Sequence, residues 1–332
     1  MTYRVQLLET SESFEVGGGE TVLDAALREE VRLPHECTLG GCGTCRVKLL
    51  EGRVTYDEFP MALTPEEAEQ GFVLTCQAHP QSDLVISTER ALPAASEPAR
   101  HTAVIRELRP FSDDVVHLAL ELPEAGSFIY RPGQYMNVFL EDGSHRSFSM
   151  ASVPNGGLVD FHIRRIPDGR FTAGRLAELR PGDTLEVELP LGTFCYHAED
   201  YRPLILVATG TGISPIKCIL ESLLDDPDCP PVSLYWGMRT AADLYLDEEI
   251  RSWADRLYEF QYVPVLSRAP SSWPGRRGHV QHAVLQDFDD FSEHAFYLCG
   301  APAMIHDAKQ AFLGKGASVD HIYVDGFSFQ HH

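Results

Sequence analysis

No long apolar run interrupts this sequence. The longest, PLILVA at residues 203–208, falls far short of the roughly 20 residues that cross a bilayer. The N-terminus MTYRVQLLET lacks the basic-then-apolar order of a secretion signal. The chain therefore reads as cytoplasmic and without membrane attachment. Positive charge is scarce as well: 27 Lys plus Arg stand against 49 Asp plus Glu, a net charge of −22. Such a surface repels phosphate backbones and anionic lipid, which argues against nucleic acid and membrane. It would attract a protein partner with a basic docking face, though by itself the excess is better read as keeping the protein soluble. Internal repeats and low-complexity tracts are missing too. What is present is ordinary for a folded protein: 44% hydrophobic and 23% charged residues, over 332 positions that suffice for two or three domains.

The organisation along the chain changes twice. Residues 3–9 and 13–17 alternate like a hairpin, TVLDAALREE suits a helix, and RVKLLEG, TPEEAEQG and DLVISTE supply a strand, a short helix and a last strand. This makes an α+β unit over 1–92, followed by an Ala/Pro-rich linker at 93–100. From 101 to 200, six short strands with one helical stretch near TAGRLAELR predict a closed antiparallel barrel. From 201 to 332, strand and helix alternate (LILVATG, SPIKCILESLL, VSLYWGM, LDEEIRSWADRL, FQYVPVLS, HVQHAVLQ, AFYLCG, PAMIHDAKQAFLG, IYVDGF), which predicts a parallel α/β sheet with ligands at the carboxyl ends of its strands.

Four of the eight cysteines cluster. Cys37, Cys42 and Cys45 are spaced C-x4-C-x2-C, and Cys76 follows after thirty intervening residues. That is the plant-type spacing for a [2Fe-2S] cluster on four thiolates. Structural zinc prefers two close Cys pairs, and Cys76 stands alone. Glycines 40, 41 and 43 are expected to let the loop take positive φ and to turn amide N–H groups toward sulfur. Cys195, Cys218 and Cys229 read as buried thiols.

Three further stretches carry weaker signals. In RSFSMAS, Arg146 can neutralise a pyrophosphate and Ser149 can hydrogen-bond a polar ring edge, and about twenty residues on Gly169, Arg170 and Thr172 can present backbone amides to phosphate at a helix start. LILVATGTGISPIK is a strand, a glycine turn and a helix, with Gly210 and Gly212 allowing close approach and Pro215 starting the helix. YLCGAPAM places Cys299 at a strand's carboxyl end.

In this order, CxxxxCxxC with its distant Cys, RSFS, GTGISP and CGAP resemble the reductase component of bacterial aromatic-ring dioxygenases, in which a plant-type ferredoxin (β-grasp) is fused to a ferredoxin-NADP reductase-like module. The resemblance covers nearly the whole chain. It implies an FAD-binding β-barrel and an NAD(P)H-binding domain, with FAD, NADH and [2Fe-2S] as cofactors and a terminal Rieske-type oxygenase as partner. It places Arg146 on FAD phosphate, with Ser147 beside it in the same motif, Phe148 against the isoalloxazine or ribityl region in place of the usual tyrosine, and Ser149 near flavin N5. Arg164 and the turn Gly169–Thr172, with Arg170 where a second glycine is frequent, match the FAD pyrophosphate site. Gly210, Thr211, Gly212, Pro215, Cys299 and Gly300 match the nicotinamide nucleotide site, and Arg239 follows the second strand of that domain, with Asp243 near it. Asp325 and Phe327 match a C-terminal acid and aromatic near the flavin; with Ser149 and Cys299, Asp325 is the expected catalytic group. Reductases of di-iron monooxygenases of the phenol hydroxylase type and of deoxysugar-forming systems share these modules, and a colourless zinc-stabilised binding module is the alternative from another class.

Overall fold

The computed structural model describes residues 2–35, 37–88, 96–123, 130–167 and 169–327, with only the backbone of Arg170 and Ala173. Residues 89–95, which include the first three positions of the stretch expected as linker, lie outside the described residues.

The first unit is a five-stranded mixed sheet: β1 (Tyr3–Leu7), β2 (Ser13–Val16), β3 (Arg46–Glu51), β5 (Phe72–Leu74) and β7 (Leu84–Ser87), in the order β2-β1-β7-β3-β5. β4 (Val54–Thr55) and β6 (His79–Pro80) form a small ribbon beside it. Helix α1 (Val22–Arg28) starts from a capping box on Thr21 and buries Val22, Leu23, Ala25 and Ala26 on the sheet. Helix α2 (Pro65–Glu69) is a single turn, begun by Pro65 and a second capping box between Thr64 and Glu67.

The second unit is antiparallel. Its strands β8 (Ala99–Pro110), β9 (Val115–Glu121), β10 (Tyr135–Phe139), β11 (His145–Ser149), β12 (Leu158–Arg164) and β13 (Thr184–Leu191) run in the order β11-β10-β13-β8-β9-β12. A bridge between Met150 and Phe161 joins the two end strands, so the sheet closes as expected. β8 begins at Ala99, inside the stretch read as linker, because Ala99 and Arg100 already pair with β13. The helical stretch starts earlier and wider than its sequence suggests, as a π-turn over Arg170–Arg175 running into α3 (Leu176–Glu178); such turns often mark functional sites.

The third unit is an all-parallel sheet of β14 (Leu204–Thr209), β15 (Val232–Met238), β16 (Gln261–Leu266), β17 (Arg276–Arg277), β18 (Ala295–Gly300) and β19 (Ile322–Gly326), in the order β17-β16-β15-β14-β18-β19. Helices α4 (Ile213–Leu223), α5 (Asp247–Arg251), α6 (Val280–Asp287) and α7 (Pro302–Leu313) cover it. The strands are nearly continuous apolar runs because both faces are buried. The LDEEIRSWADRL stretch keeps its apolar positions, with Ile250, Trp253 and Leu257 buried, but the helix ends at Arg251 and tighter turns carry the rest. The strand order reverses between β14 and β18, so their carboxyl ends flank a crevice. Among the described residues no helix is long and apolar enough to cross a membrane.

Candidate cofactor cleft and cluster loop

The fold sets the four cysteines in two pairs, Cys37 with Cys42 and Cys45 with Cys76, all free and buried. The Cys45 and Cys76 sulfurs are 3.1 Å apart. The amides of Leu39 and Cys42 each donate to the Cys37 sulfur at 3.4 Å. A hydrogen bond from Cys42 and, against burial, these amides draw the Cys37 thiol down to about 5. Two buried thiol pairs, one already poised toward thiolate, fit two irons with two protein sulfurs each. Gly40 (φ 70°) and Gly43 (φ 84°) take the left-handed backbone as expected; Gly41 does not, and Thr38 (φ 55°) does instead. A Cβ on Gly43 would meet Val324 at 2.9 Å, and one on Gly326 would meet the Cys42 backbone at 3.0 Å, so the loop is packed directly on β19.

A cavity of about 730 Å3 lies between the barrel and the carboxyl ends of the parallel strands, and Cys37 forms part of its wall. This places the cluster loop and the cofactor cleft side by side. From the barrel, β11 contributes Arg146, Ser147, Phe148 and Ser149, β12 ends in Arg164, and Gly169 and Thr172 close one end. Ser147 is tied to Asn137 at 2.8 Å, and Phe148 packs on Phe171 with ring centroids 5.3 Å apart. Arg164 is aimed by Asp114 at 3.0 Å. The Thr172 hydroxyl accepts from the Ile166 amide at 3.1 Å, so it shapes the turn, and a Cβ on Gly169 would collide with it at 2.3 Å. The Arg170 side chain lies outside the described residues. Two guanidinium groups, a tight turn and an aromatic wall fit an isoalloxazine nucleotide with its diphosphate.

From the nucleotide unit, Thr209, Gly210, Thr211 and Ser214 line the cavity, with Arg239, Asp243 and Phe327. Gly212 is a point of close approach: a Cβ there would lie 2.4 Å from the Cys299 carbonyl oxygen. We expect Gly212→Ala to pry the two loops apart and weaken NADH binding by roughly an order of magnitude, read as a raised KM for NADH at unchanged FAD content. Pro215 is the third residue of α4 rather than its first, and it is buried behind the wall. There its missing N–H costs nothing, because the first turn has no partner for it. Asp243 caps its own turn, its Oδ2 accepting from the Thr240 amide at 2.9 Å and hydroxyl at 2.8 Å.

Ser149, Cys299 and Asp325 do come together, but in layers. Ser149 lines the cavity, while Asp325 and Cys299 lie behind it. The Ser149 hydroxyl donates to Asp325 Oδ2 at 3.2 Å, and the Cys299 thiol reaches the same oxygen at 3.7 Å. Burial lifts the Asp325 carboxyl to about 6, against these two hydrogen bonds. Gly300 (φ 135°) sits where a Cβ would strike Thr209 Oγ1 at 2.2 Å, and that hydroxyl accepts from the Ala301 amide at 3.1 Å. Gly300 and Gly212 thus serve by being small.

Two further residues face the cleft. Ser214 and Gln281 are buried and line the cavity; Ser214 lies within reach of the Tyr245 hydroxyl, while Gln281 Oε1 has no partner among the described residues. Both follow carboxyl ends of parallel strands, at the starts of α4 and α6, which is the available signal. Buried polar atoms left open toward a cavity are what a polar ligand such as a dinucleotide satisfies.

Comparison with known proteins agrees. Residues 5–81 match the 2Fe-2S iron-sulfur cluster binding domain, 102–196 the oxidoreductase FAD-binding domain and 206–310 the oxidoreductase NAD-binding domain. The chain is 33% identical to the CDP-6-deoxy-L-threo-D-glycero-4-hexulose-3-dehydrase reductase of Yersinia pestis, over 98% of this chain and 99% of that one. It is also 33% identical to reductase component 1 of the terephthalate 1,2-dioxygenase of Comamonas sp, over 99% and 98%. The crystal structure of the Amycolatopsis cytochrome P450 reductase GcoB superposes with a TM-score of 0.73 at 31% identity, covering 98% of each chain. With cluster loop, flavin wall and nucleotide turn arranged around one cleft, the chain belongs to the family of NADH-dependent oxidoreductases that join a [2Fe-2S] ferredoxin domain to FAD-binding and NAD-binding domains.

Proposed function

We propose that this chain is the reductase component of a cytoplasmic aromatic-ring dioxygenase system and delivers single electrons to a terminal Rieske-type oxygenase. The observation that carries this reading is the shared wall: Cys37 of the cluster loop and Ser149 of the flavin side line one cavity. When bound, FAD accepts a hydride from NADH and the cluster passes electrons one at a time. The chain's own residues hold and orient. Arg146 and Arg164 would meet the FAD diphosphate, Phe148 would pack on the ring system with Phe327 opposite, and Ser214, Gln281 and Arg239 would meet the NADH backbone and adenosine. Ser149 would touch the reacting edge, its hydroxyl direction set by Asp325 and Cys299 behind it.

The exit side supports a protein acceptor. Leu39, Phe59 and Met61 are more than half exposed around the cluster loop, and the Ala62 amide bonded to Gly40 O at 2.9 Å joins the two stretches that carry them. Asp57 and Glu58 rim this patch, in a segment of 95 residues with 16 acidic and 7 basic side chains. An apolar centre with an acidic rim suits a partner presenting basic groups. Accordingly, raising ionic strength from low to physiological slows electron delivery to the protein acceptor by about tenfold, whereas ferricyanide reduction, between like charges, does not slow. Asp57→Lys with Glu58→Lys imitates high salt; an acceptor rate indifferent to both would contradict this docking face.

A second reading, delivery to a deoxysugar-forming dehydrase, is supported by the name of the Yersinia relative. Purified protein mixed with NADH and either candidate oxygenases or such a dehydrase separates the two: NADH-dependent oxygen uptake coupled to aromatic product supports the first, and deoxygenated sugar product overturns it.

A further inference from the structure

The chain has four lysines, and two of them are buried. Lys217 lies between barrel and nucleotide unit, bonded to Ala151 O at 3.1 Å and paired with Glu221. Lys309, on α7, lies on the opposite side, with 1% of its side chain exposed, and reaches the ferredoxin unit. Its ammonium donates to Ala62 O at 2.8 Å and to Glu67 Oε2 at 2.7 Å. Glu67, also 1% exposed, pairs at its other oxygen with Arg46. Arg46 neighbours the ligand Cys45 and donates in turn to the Ile322 carbonyl at 3.1 Å, on the strand that carries Asp325. Burial draws the Lys309 ammonium down to about 8, and against burial the neighbouring cations hold the Glu67 carboxyl low, so Lys309 and Glu67 meet as an ion pair at neutral pH. Around them Val319 and Leu313 of the nucleotide unit join the ferredoxin core, and His306 Nδ1 meets Met61 O at 2.8 Å.

Buried charges in this arrangement are costly, and replacement by apolar groups is often neutral or better. The triad is therefore a poor source of stability and a sharp source of registry: only one seating of the two units satisfies all three charges. Its connections are specific. α7 begins one residue after Ala301, whose amide is held by Thr209 at the nucleotide turn, and Glu67 caps the helix beside the cluster.

The geometry points to Arg46, Glu67 and Lys309 as positioning residues that seat the cluster against the cofactor cleft and thereby set the rate at which an electron leaves the flavin for the cluster. In that step one electron leaves the reduced flavin and one ferric iron becomes ferrous. The inference rests on the flavin-to-cluster path proposed above.

The test uses holoprotein, with NADH-driven flavin bleaching, cluster reduction and small-angle X-ray scattering as separate readouts. Glu67→Gln preserves the cap but leaves two buried cations facing each other across the interface. It should slow cluster reduction by about tenfold or more, enlarge the scattering dimensions, and leave NADH-to-ferricyanide turnover unchanged. Adding Lys309→Met removes the repulsion and should restore both cluster reduction and scattering. An unaltered single variant, or a double variant as slow as the single, overturns the inference. Should Glu67→Gln fail to fold, Lys309→Glu confronts two carboxylates while sparing the ferredoxin unit, and must give the same two changes or the inference falls. A wild-type protein whose cluster is not reduced by NADH would instead defeat the path itself.

Discussion

Cys42→Ser abolishes cluster absorption and cytochrome c reduction, while NADH-driven ferricyanide reduction survives near its original rate. Cys42 is buried beside Cys37, its amide donates to the Cys37 sulfur, and its Cα lies against Gly326. With the cluster held on these four sulfurs as proposed, removing this one would take a ligand from iron, and it removes one of the hydrogen bonds that hold Cys37 low. The flavin wall, built from β11, β12 and the π-turn, shares none of these bonds. Iron and acid-labile sulfide analysis checks the first half, and paired acceptor assays check the second. Full cytochrome c activity in the iron-free variant would show that electrons leave without the cluster.

Ser149→Ala slows flavin reduction by NADH by about a hundredfold and leaves FAD content intact. The hydroxyl is the one member of the Ser149, Asp325 and Cys299 layer that faces the cavity. Its polarity is governed from behind. Above about 6 the Asp325 carboxylate accepts a hydrogen bond from the Ser149 hydroxyl, and the serine offers the cavity only lone pairs; below, the carboxylic acid donates to Ser149 and turns its O–H outward. With FAD seated as proposed, its reduced ring would present an N–H to Ser149 where the oxidised ring has a bare nitrogen, and the lone-pair face would favour reduction. The rate therefore falls by roughly tenfold as pH drops through about 6, and Asp325→Asn flattens that step. Stability runs the other way. Because burial raises the folded carboxyl above its unfolded value of 3.8, the group's contribution is intact below pH 3.8 and fades as pH rises through about 6. Asp325→Asn thus melts above wild type at pH 7 and level with it at pH 4; a melting difference that grows on acidification would refute the buried-carboxylate account. Cys299→Ala, which only loosens this layer, should slow flavin reduction less than Ser149→Ala does.

Much of this was legible in the residues. Period-two alternation marked β8 to β13, continuous apolar runs marked the parallel strands, and four cysteines at fixed spacing marked the cluster, because each signal is local. The layering of the site was not. Ser149 and Asp325 lie 176 residues apart, and no periodicity tells which of them faces the cavity. Pro215 looked like a helix start because proline favours the first turn, yet two residues precede it there. The shortened α5 kept its apolar spacing while its later amides bond three residues back, as Trp253 does to Ile250, a change the pattern of side chains cannot register. The Glu67 to Lys309 pair spans 242 residues; each residue alone reads as an ordinary surface charge on a helix.

The seating of the ferredoxin unit on α7 and β19 has a mechanical side. The ferredoxin unit meets the barrel as well, Leu27, Leu33 and His35 facing Arg131, Tyr135 and Leu191 across one crevice, and three bodies that each abut the other two form a closed ring without a free hinge. The nucleotide unit is bolted to the ferredoxin unit through Lys309 and Glu67, so any widening of the coenzyme entrance between barrel and parallel sheet swings the iron-bearing loop along with it.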